Sequence, residues 1–230
     1  MLSLSPPIGV FHRYDMVEVV RDVRSGAADS PADRTAGWIE ASEAAVIPLT
    51  EKVASSDTEL AAFQAAEAAT HVYHYVSFAC SFGPAEKTPF DRAWLQVELS
   101  AAGRAGTTTA WSMSPRNVWD KAEVSTTANV GAEFKLISTG IEAGISTESK
   151  VYFLRAYRER TARPYWEFRA TQTSSIDGSH RFHMVTRTSK GAAGRGRLNL
   201  SATMRTRKFL MLTRSEAAAA PPAITFDLSE

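Results

Sequence analysis

Two pairs of histidines and the single cysteine are the residues of this sequence whose types could bind a metal ion. The pairs are His71/His74 in HVYH and His180/His183 in HRFH, and the cysteine is Cys80. On a helix, a spacing of three would put both rings on one side. Both pairs lie in segments with a two-residue period, where this spacing puts the rings on opposite faces. We therefore predict packed or surface histidines and assign no metal site and no cofactor.

Cys80 is also the candidate nucleophile, but its neighbours on the same predicted strand face are Val76, Phe78 and Phe82. A reactive thiol needs a nearby base and electropositive surroundings, so we expect an inert, buried thiol. The sequence has no G-x-S-x-G elbow, Walker A sequence, H-E-x-x-H motif or kinase signature. The glycine cluster 191–196 lies between two predicted strands, which favours a hairpin loop over a phosphate cradle. We assign no catalytic residue, and an enzyme remains the third of three hypotheses.

The composition is that of a folded globular protein: 230 residues, of which 44% are hydrophobic and 22% charged. One cysteine allows no internal disulfide bond. No run approaches the roughly 18 to 20 apolar residues of a transmembrane helix. The first residues, MLSLSPPIGVFHRYD, lack the basic and long apolar regions of a secretory signal. We therefore expect a cytoplasmic protein.

The periodicity predicts a mostly β protein with a few helical turns near the N-terminus. Two alanine-rich segments favour helices: TAGWIEASEAAVIPL, which Pro48 would end, and LAAFQAAEAAT, which Ser56 or Asp57 would cap. Strands are predicted in GVFHRYDMVEVV, HVYHYVSFACSF, DRAWLQVELS, ESKVYFLRAY, PYWEFRATQT, SHRFHMVTRT and GRLNLSATMRT. Trp94, Trp111, Trp119 and Trp166 lie in or beside strand-like segments, where large aromatic residues favour core packing.

We therefore predict an α+β fold that is mostly β, with an antiparallel β-sandwich or barrel-like sheet and two short N-terminal-half helices packed at one end. One domain would span residues 1–214, with helices within about 34–70 and strands mainly in 71–212. Residues 215–230 form a linker-like tail, in which ITFDL could dock as an edge strand or stay mobile.

Residues 122–153 alternate small apolar and polar side chains over two arms joined by the turn-like ISTG, a pattern that predicts a hairpin. Each arm exceeds the roughly 9–11 residues of a transmembrane strand. Over about 30 residues, its richness in Gly, Ala, Ser and Thr resembles the amphipathic hairpins of β-pore-forming proteins of the aerolysin and gasdermin types. The same alternation is typical of any sheet with one buried and one solvated face, which is the interpretation we favour. The membrane-hairpin candidates are Ala132, Phe134, Leu136, Ile141, Ala143 and Ile145.

Charge is divided unevenly along the chain. Residues 1–128 contain 10 Lys/Arg against 16 Asp/Glu, whereas residues 129–230 contain 16 against 9. The candidates for a basic face on one sheet are Arg155, Arg158, Arg160, Arg181, Arg195, Arg197, Arg205 and Arg207. Interleaved with these arginines are aromatic residues of the kind that stack on bases, namely Tyr157, Tyr165, Trp166 and Phe168.

Three partner classes fit this charge division. Basic strands attract nucleic acid and anionic membranes, but no RNA-recognition or KH motif is present. The simpler interpretation of the charge division is that the acidic and basic parts of one fold attract each other. Our leading hypothesis is a non-catalytic interaction and assembly module that binds a protein partner or its own copies. The alternative is a membrane-perforating protein that inserts the hairpin at about 122–153. We infer no small-molecule ligand.

Overall fold

The computed structural model describes residues 9–17, 35–50, 58–86, 88–102, 106–119, 151–208, 211–215 and 222–228. These residues form two open antiparallel sheets and one helix, α1, which spans Thr58–Glu67. The predicted fold class, a mostly β antiparallel sandwich, is confirmed. Among these described residues, no helix has the length and apolarity needed to cross a bilayer.

Sheet one has six strands, with β4 and β10 at its centre. Its strands are β1 Phe11–Val17, β2 Thr35–Ser42, β3 Ala45–Pro48, β4 His71–Pro84, β6 Thr108–Ser114 and β10 Gly178–Ser189. The order is β1-β2-β4-β10-β6, and β3 pairs with β4 beyond the end of β2. At this break the buried Ser42 accepts a hydrogen bond from the Ala79 N–H at 2.9 Å, which satisfies a backbone donor that neither strand reaches.

Sheet two has seven strands and packs against sheet one. Its strands are β5 Phe90–Ala102, β7 Asn117–Trp119, β8 Tyr152–Tyr157, β9 Tyr165–Arg169, β11 Ala193–Lys208, β12 Met211–Ser215 and β13 Ile224–Leu228. The order is β12-β11-β5-β9-β8-β7, and β13 also pairs with β11. The ITFDL segment of the tail is therefore a docked edge strand, the first of the two outcomes considered from sequence.

Aromatic rings from both sheets fill the core between them. The ring of Trp166 in β9 lies 5.6 Å from Phe78 in β4 and 5.0 Å from Phe182 in β10, measured between centroids. Its indole N–H donates to the Pro115 carbonyl at 2.8 Å, so the one polar atom of this buried residue is satisfied. The alternation predicted in β5 is confirmed, with Ala93, Leu95, Val97 and Leu99 buried.

The first predicted helix is wrong. Residues 35–48 form β2 and β3, in which the buried Ile39 and Ala41 lie on one face and Trp38 and Glu40 are half-buried. Alanine and glutamate are good helix formers, but helix propensity amounts to less than about 1 kcal/mol per residue, and pairing with β1 and β4 outweighs that preference. The second predicted helix is confirmed as α1, while its proposed caps lie outside the described residues.

Helix α1 is held on the outer face of sheet one by a polar cluster at its C-terminus. The Glu67 carboxylate accepts hydrogen bonds from the Tyr73 hydroxyl at 3.1 Å and the Arg187 guanidinium at 2.9 Å, and it lies 3.1 Å from the His71 ring. Burial raises the pKa of Glu67, but the Tyr73 hydrogen bond and the Arg187 charge together lower it below its usual value. Phe63 adds an apolar contact to Tyr73, with ring centroids 5.4 Å apart.

The two sheets are also connected through the chain itself. The chain turns at residues 190–192 from β10 of sheet one into β11 of sheet two, and the rest of the glycine cluster belongs to β11, so the predicted hairpin loop is wrong. The loop between β8 and β9 covers the outer edge of β6: the Ala110 N–H donates to the Thr161 carbonyl at 3.0 Å, and the Ala110 carbonyl accepts from the Arg160 N–H at 2.6 Å. The same loop accepts a bond from Leu99 of β5 at the Ala162 carbonyl, 2.8 Å away.

Two strand glycines lie beneath aromatic rings of the neighbouring strand. Gly83 is the register partner of Trp38, and Gly196 is the register partner of Phe226. A Cβ atom at either glycine would overlap the ring above it. Because glycine has no side chain, each ring can lie directly against the backbone of the neighbouring strand.

Candidate binding surface

A β-bulge at Phe153 determines which side chains reach the outer face of sheet two. Leu154 pairs with Val118 and Tyr152 pairs with Trp119, so Phe153 has no partner in β7. The extra residue shifts the alternation by one. As a result Phe153 and Leu154 are both buried, 4% and 3% exposed, and Tyr152 lies on the same outer face as Arg155.

Six side chains form a continuous row on this face, which we call the aromatic–arginine stack. Its members are Trp119, Tyr152, Arg155, Tyr157, Arg158 and Tyr165.

Each member of the stack contacts the next. The rings of Trp119 and Tyr152 are stacked with centroids 3.9 Å apart. The Arg155 guanidinium lies 4.8 Å from the Tyr152 ring and 5.2 Å from the Tyr157 ring, so it is held between the two. Tyr157 and Tyr165 are stacked at 4.9 Å.

Arg158 ends the row, with its guanidinium 5.8 Å from the Tyr165 ring. Its backbone is in the left-handed region, with φ 57°, which is unusual for a residue other than glycine. Cation–π contacts of this kind contribute about 0.5–1 kcal/mol at exposed sites. The row is therefore ordered by its own contacts.

The two arginines of the stack are exposed, and within the described residues neither forms an ion pair. Glu167 is the register partner of Arg155 on β9, and its carboxylate lies within 4 Å of two other arginines: Arg92 at 3.7 Å and Arg169 at 3.6 Å. Burial and the Glu167 carboxylate raise the pKa of Tyr157 above its usual value, so its hydroxyl remains protonated at neutral pH. The row thus combines two exposed positive charges with half-buried aromatic rings.

The structure divides the predicted basic residues between two faces. Arg155, Arg158, Arg195 and Arg197 lie on the side of sheet two, where Arg195 pairs with Asp227 at 3.2 Å. Arg181 is exposed on β10 of sheet one, and Arg160 lies over the Trp111 ring of β6 at 5.1 Å. Arg205 and Arg207 belong to β11, but their side chains lie outside the described residues. The six predicted basic residues whose side chains are described therefore do not form one continuous face.

The membrane-hairpin candidates Ala132, Phe134, Leu136, Ile141, Ala143 and Ile145 all lie outside the described residues. The structure describes only the two strands on either side of that segment, β7 and β8. These strands are antiparallel neighbours, and Trp119 and Tyr152 are the last register pair before it.

The histidines are dispersed across sheet one. His74 is buried, and His180 packs against Phe168 with centroids 4.9 Å apart. The His183 ring stacks on Tyr75, with the hydroxyl oxygen 2.6 Å from Nδ1. Burial lowers the pKa of both His180 and His183.

The described residues contain no group of three or more His, Cys, Asp or Glu side chains arranged to hold a metal ion. Cys80 is buried as expected, and burial raises the pKa of its thiol. A thiol of this kind is a poor nucleophile.

Sequence reasoning identified half of the aromatic partners. Tyr157 and Tyr165 lie beside the basic residues as predicted, but Trp166 and Phe168 are fully buried in the core and offer no surface for stacking. In YWEFR the side chains alternate between the two faces of β9, so Tyr165 lies on the outer face and Trp166 and Phe168 lie in the core. Tyr152 could not be identified from sequence because the bulge at Phe153 changes the phase of β8.

No protein-family model matches the chain. No curated protein matches it either. Among solved structures, it is similar to the NetB toxin of Clostridium perfringens in its membrane-inserted form, with 5% sequence identity and a TM-score of 0.29. That similarity covers 95% of this chain and 94% of the toxin chain. A TM-score of this size establishes neither a shared fold nor a shared activity.

Proposed function

We propose that this chain is a non-catalytic interaction and assembly module whose binding surface is the outer face of sheet two. The observation that carries the proposal is the aromatic–arginine stack, in which two exposed guanidinium groups form no ion pair within the described residues. Tryptophan, tyrosine and arginine are the residue types that contribute most to binding energy at interfaces.

Preorganisation supports a binding role for this surface. An arginine held between two tyrosine rings has lost most of its side-chain freedom before a partner arrives. Ordering an arginine side chain on binding otherwise costs about 0.5–1.5 kcal/mol. The charge of Arg155 and Arg158 would also accelerate encounter with an acidic partner, in a way that salt weakens.

Native mass spectrometry and pull-down experiments at about 0.05 M and about 0.5 M salt test the proposal. We expect self-association or partner capture that weakens at high salt and in the double variant Arg155→Gln/Arg158→Gln. Arg181→Gln removes the same charge from the opposite sheet and should change little. A strictly monomeric protein that captures no partner and binds no vesicles would contradict the proposal, as would equal losses in the double variant and the control.

A second candidate function is membrane perforation by residues 122–153. One observation favours it: β7 and β8 end as an antiparallel pair at Trp119 and Tyr152, which is the arrangement a hairpin between them would continue. Aromatic residues at such a position are typical of membrane interfaces.

Dye release from anionic vesicles tests this candidate. Ala132→Arg and Ile145→Arg add a charge to the set of positions that would face lipid, at a cost of about 2–4 kcal/mol near the bilayer midplane, so leakage should stop. Glu133→Arg adds the same side chain to the other set and should leave leakage in place. Vesicles that stay intact with the unmodified protein would exclude this function.

A further inference from the structure

We infer that the aromatic–arginine stack is a docking site for the phosphate groups of an anionic phospholipid membrane. The inference rests on the proposed function and names its partner. Three features of the stack carry it: the exposed guanidinium groups, the occupied faces of the rings and the charge of the surrounding face.

The first feature is the geometry of Arg155. Its guanidinium carbon lies over the Tyr152 ring at 4.8 Å and over the Tyr157 ring at 5.2 Å, measured to the ring centroids. The side chain is exposed and forms no ion pair within the described residues, so its N–H groups remain available to a ligand. A guanidinium edge matches two phosphate oxygens with two parallel hydrogen bonds.

The second feature distinguishes a membrane from nucleic acid. Bases bind aromatic side chains by stacking on open ring faces. The stack has few such faces, because Trp119 lies on Tyr152 at 3.9 Å and Tyr157 lies on Tyr165 at 4.9 Å. The aromatic members of the stack are half-buried, and side chains with an apolar body and a polar tip suit the headgroup region of a bilayer.

The third feature is the charge balance. Glu167, the acidic residue beside the stack, is within 4 Å of Arg92 and Arg169, so its charge is offset locally. Glu167 is also the register partner of Arg155, so among these described residues four arginines, Arg92, Arg155, Arg158 and Arg169, stand against one carboxylate and leave an excess of positive charge. Each arginine at an anionic membrane surface strengthens binding by about fivefold.

Vesicle co-sedimentation with the full chain tests the inference. We expect binding to phosphatidylcholine vesicles that contain phosphatidylserine and little binding to phosphatidylcholine alone. Arg155→Gln should weaken binding by about fivefold, and Arg155→Gln/Arg158→Gln by about 25-fold. Arg155→Lys keeps the charge but not the planar edge, and should also weaken binding.

Two matched controls separate the stack from general charge attraction. Arg181→Gln removes an exposed arginine from the other sheet. Arg13→Gln removes another from β1 of that sheet, where the guanidinium lies 4.6 Å from the Trp38 ring and so makes the same kind of cation–π contact as the stack arginines. Both should stay within about twofold of the unmodified protein. Urea unfolding of every variant checks that it is folded.

The outcomes are distinguishable. Equal losses in the stack variants and in both controls would overturn the inference, as would binding to a single-stranded oligonucleotide, but not to vesicles, that is lost in the same variants. Binding of inorganic phosphate without any binding to vesicles would assign the site to free phosphate and overturn the membrane assignment. If vesicles do not bind but self-association still depends on Arg155 and Arg158, the inference fails and the proposed function stands. If neither depends on them, both fail.

Discussion

Replacing Gly196 with alanine should detach β13 from sheet two. The new Cβ atom would occupy the space of the Phe226 ring, which is 7% exposed and lies directly across the strand pair. The ring must leave the core, which costs about 1.5–3 kcal/mol of lost burial. We therefore expect the free energy of unfolding in urea to fall by about 2–3 kcal/mol.

A double-mutant cycle makes this prediction specific. Phe226→Ala alone should cost about 3 kcal/mol. In that background the alanine at position 196 has room, and it should be neutral or stabilise by up to about 1 kcal/mol because the unfolded chain loses freedom. The two substitutions should therefore be non-additive by about 2–3 kcal/mol.

The measurements are urea denaturation of the four proteins of the cycle and hydrogen exchange at residues 224–228. Gly194→Ala is the matched control, since its Cβ would lie 3.0 Å from the Thr188 hydroxyl and 3.1 Å from Leu228, contacts that a small shift relieves. It should cost less than Gly196→Ala. Additive losses within the cycle, or an unchanged free energy of unfolding in Gly196→Ala, would refute the assignment of this packing.

Three further predictions concern the core and the polar groups. Trp166→Ala removes a fully buried ring and should lower the free energy of unfolding by about 3–5 kcal/mol, measured in urea. Glu67→Gln weakens the bonds from Tyr73 and Arg187 and should cost about 1–2 kcal/mol, and because the pKa of Glu67 is lowered, this difference from the unmodified protein should disappear as the pH falls below 4.5. The pKa values of His180 and His183 are also lowered, so the folded state disfavours their protonation. Their contribution to the free energy of unfolding should therefore be fully present above pH 6.5 and decline as the pH falls below it. His183→Gln should reduce that decline.

The two-residue period of the sequence was sufficient to predict most of the sheet. In β5 the apolar residues alternate strictly, and burial in the fold follows the same pattern from Ala93 to Leu99. A half-buried strand leaves this signal because its side chains point alternately to core and solvent. The position of Trp166 inside the core follows from the same rule.

Other features depend on contacts between distant segments, which the sequence pattern does not encode. Residues 35–48 are rich in alanine and glutamate, a composition that favours a helix, and only pairing with β1 and β4 makes them strands. The stack depends on the bulge at Phe153. This residue has no partner in β7, and the extra residue moves the Tyr152 side chain to the outer face of the sheet. The turn after β10 was predicted, but not that it leads to the other sheet.

The loop that covers the edge of β6 protects that edge from pairing with another chain. Strands of a second copy add to a sheet only where backbone N–H and C=O groups are unpaired, and at Ala110 both groups are already bonded to Thr161 and Arg160. Recruitment of further copies by strand addition must therefore start elsewhere on the perimeter. Two copies that paired through the same free edge would form a closed symmetric dimer, whereas pairing through two different edges would allow a chain of copies.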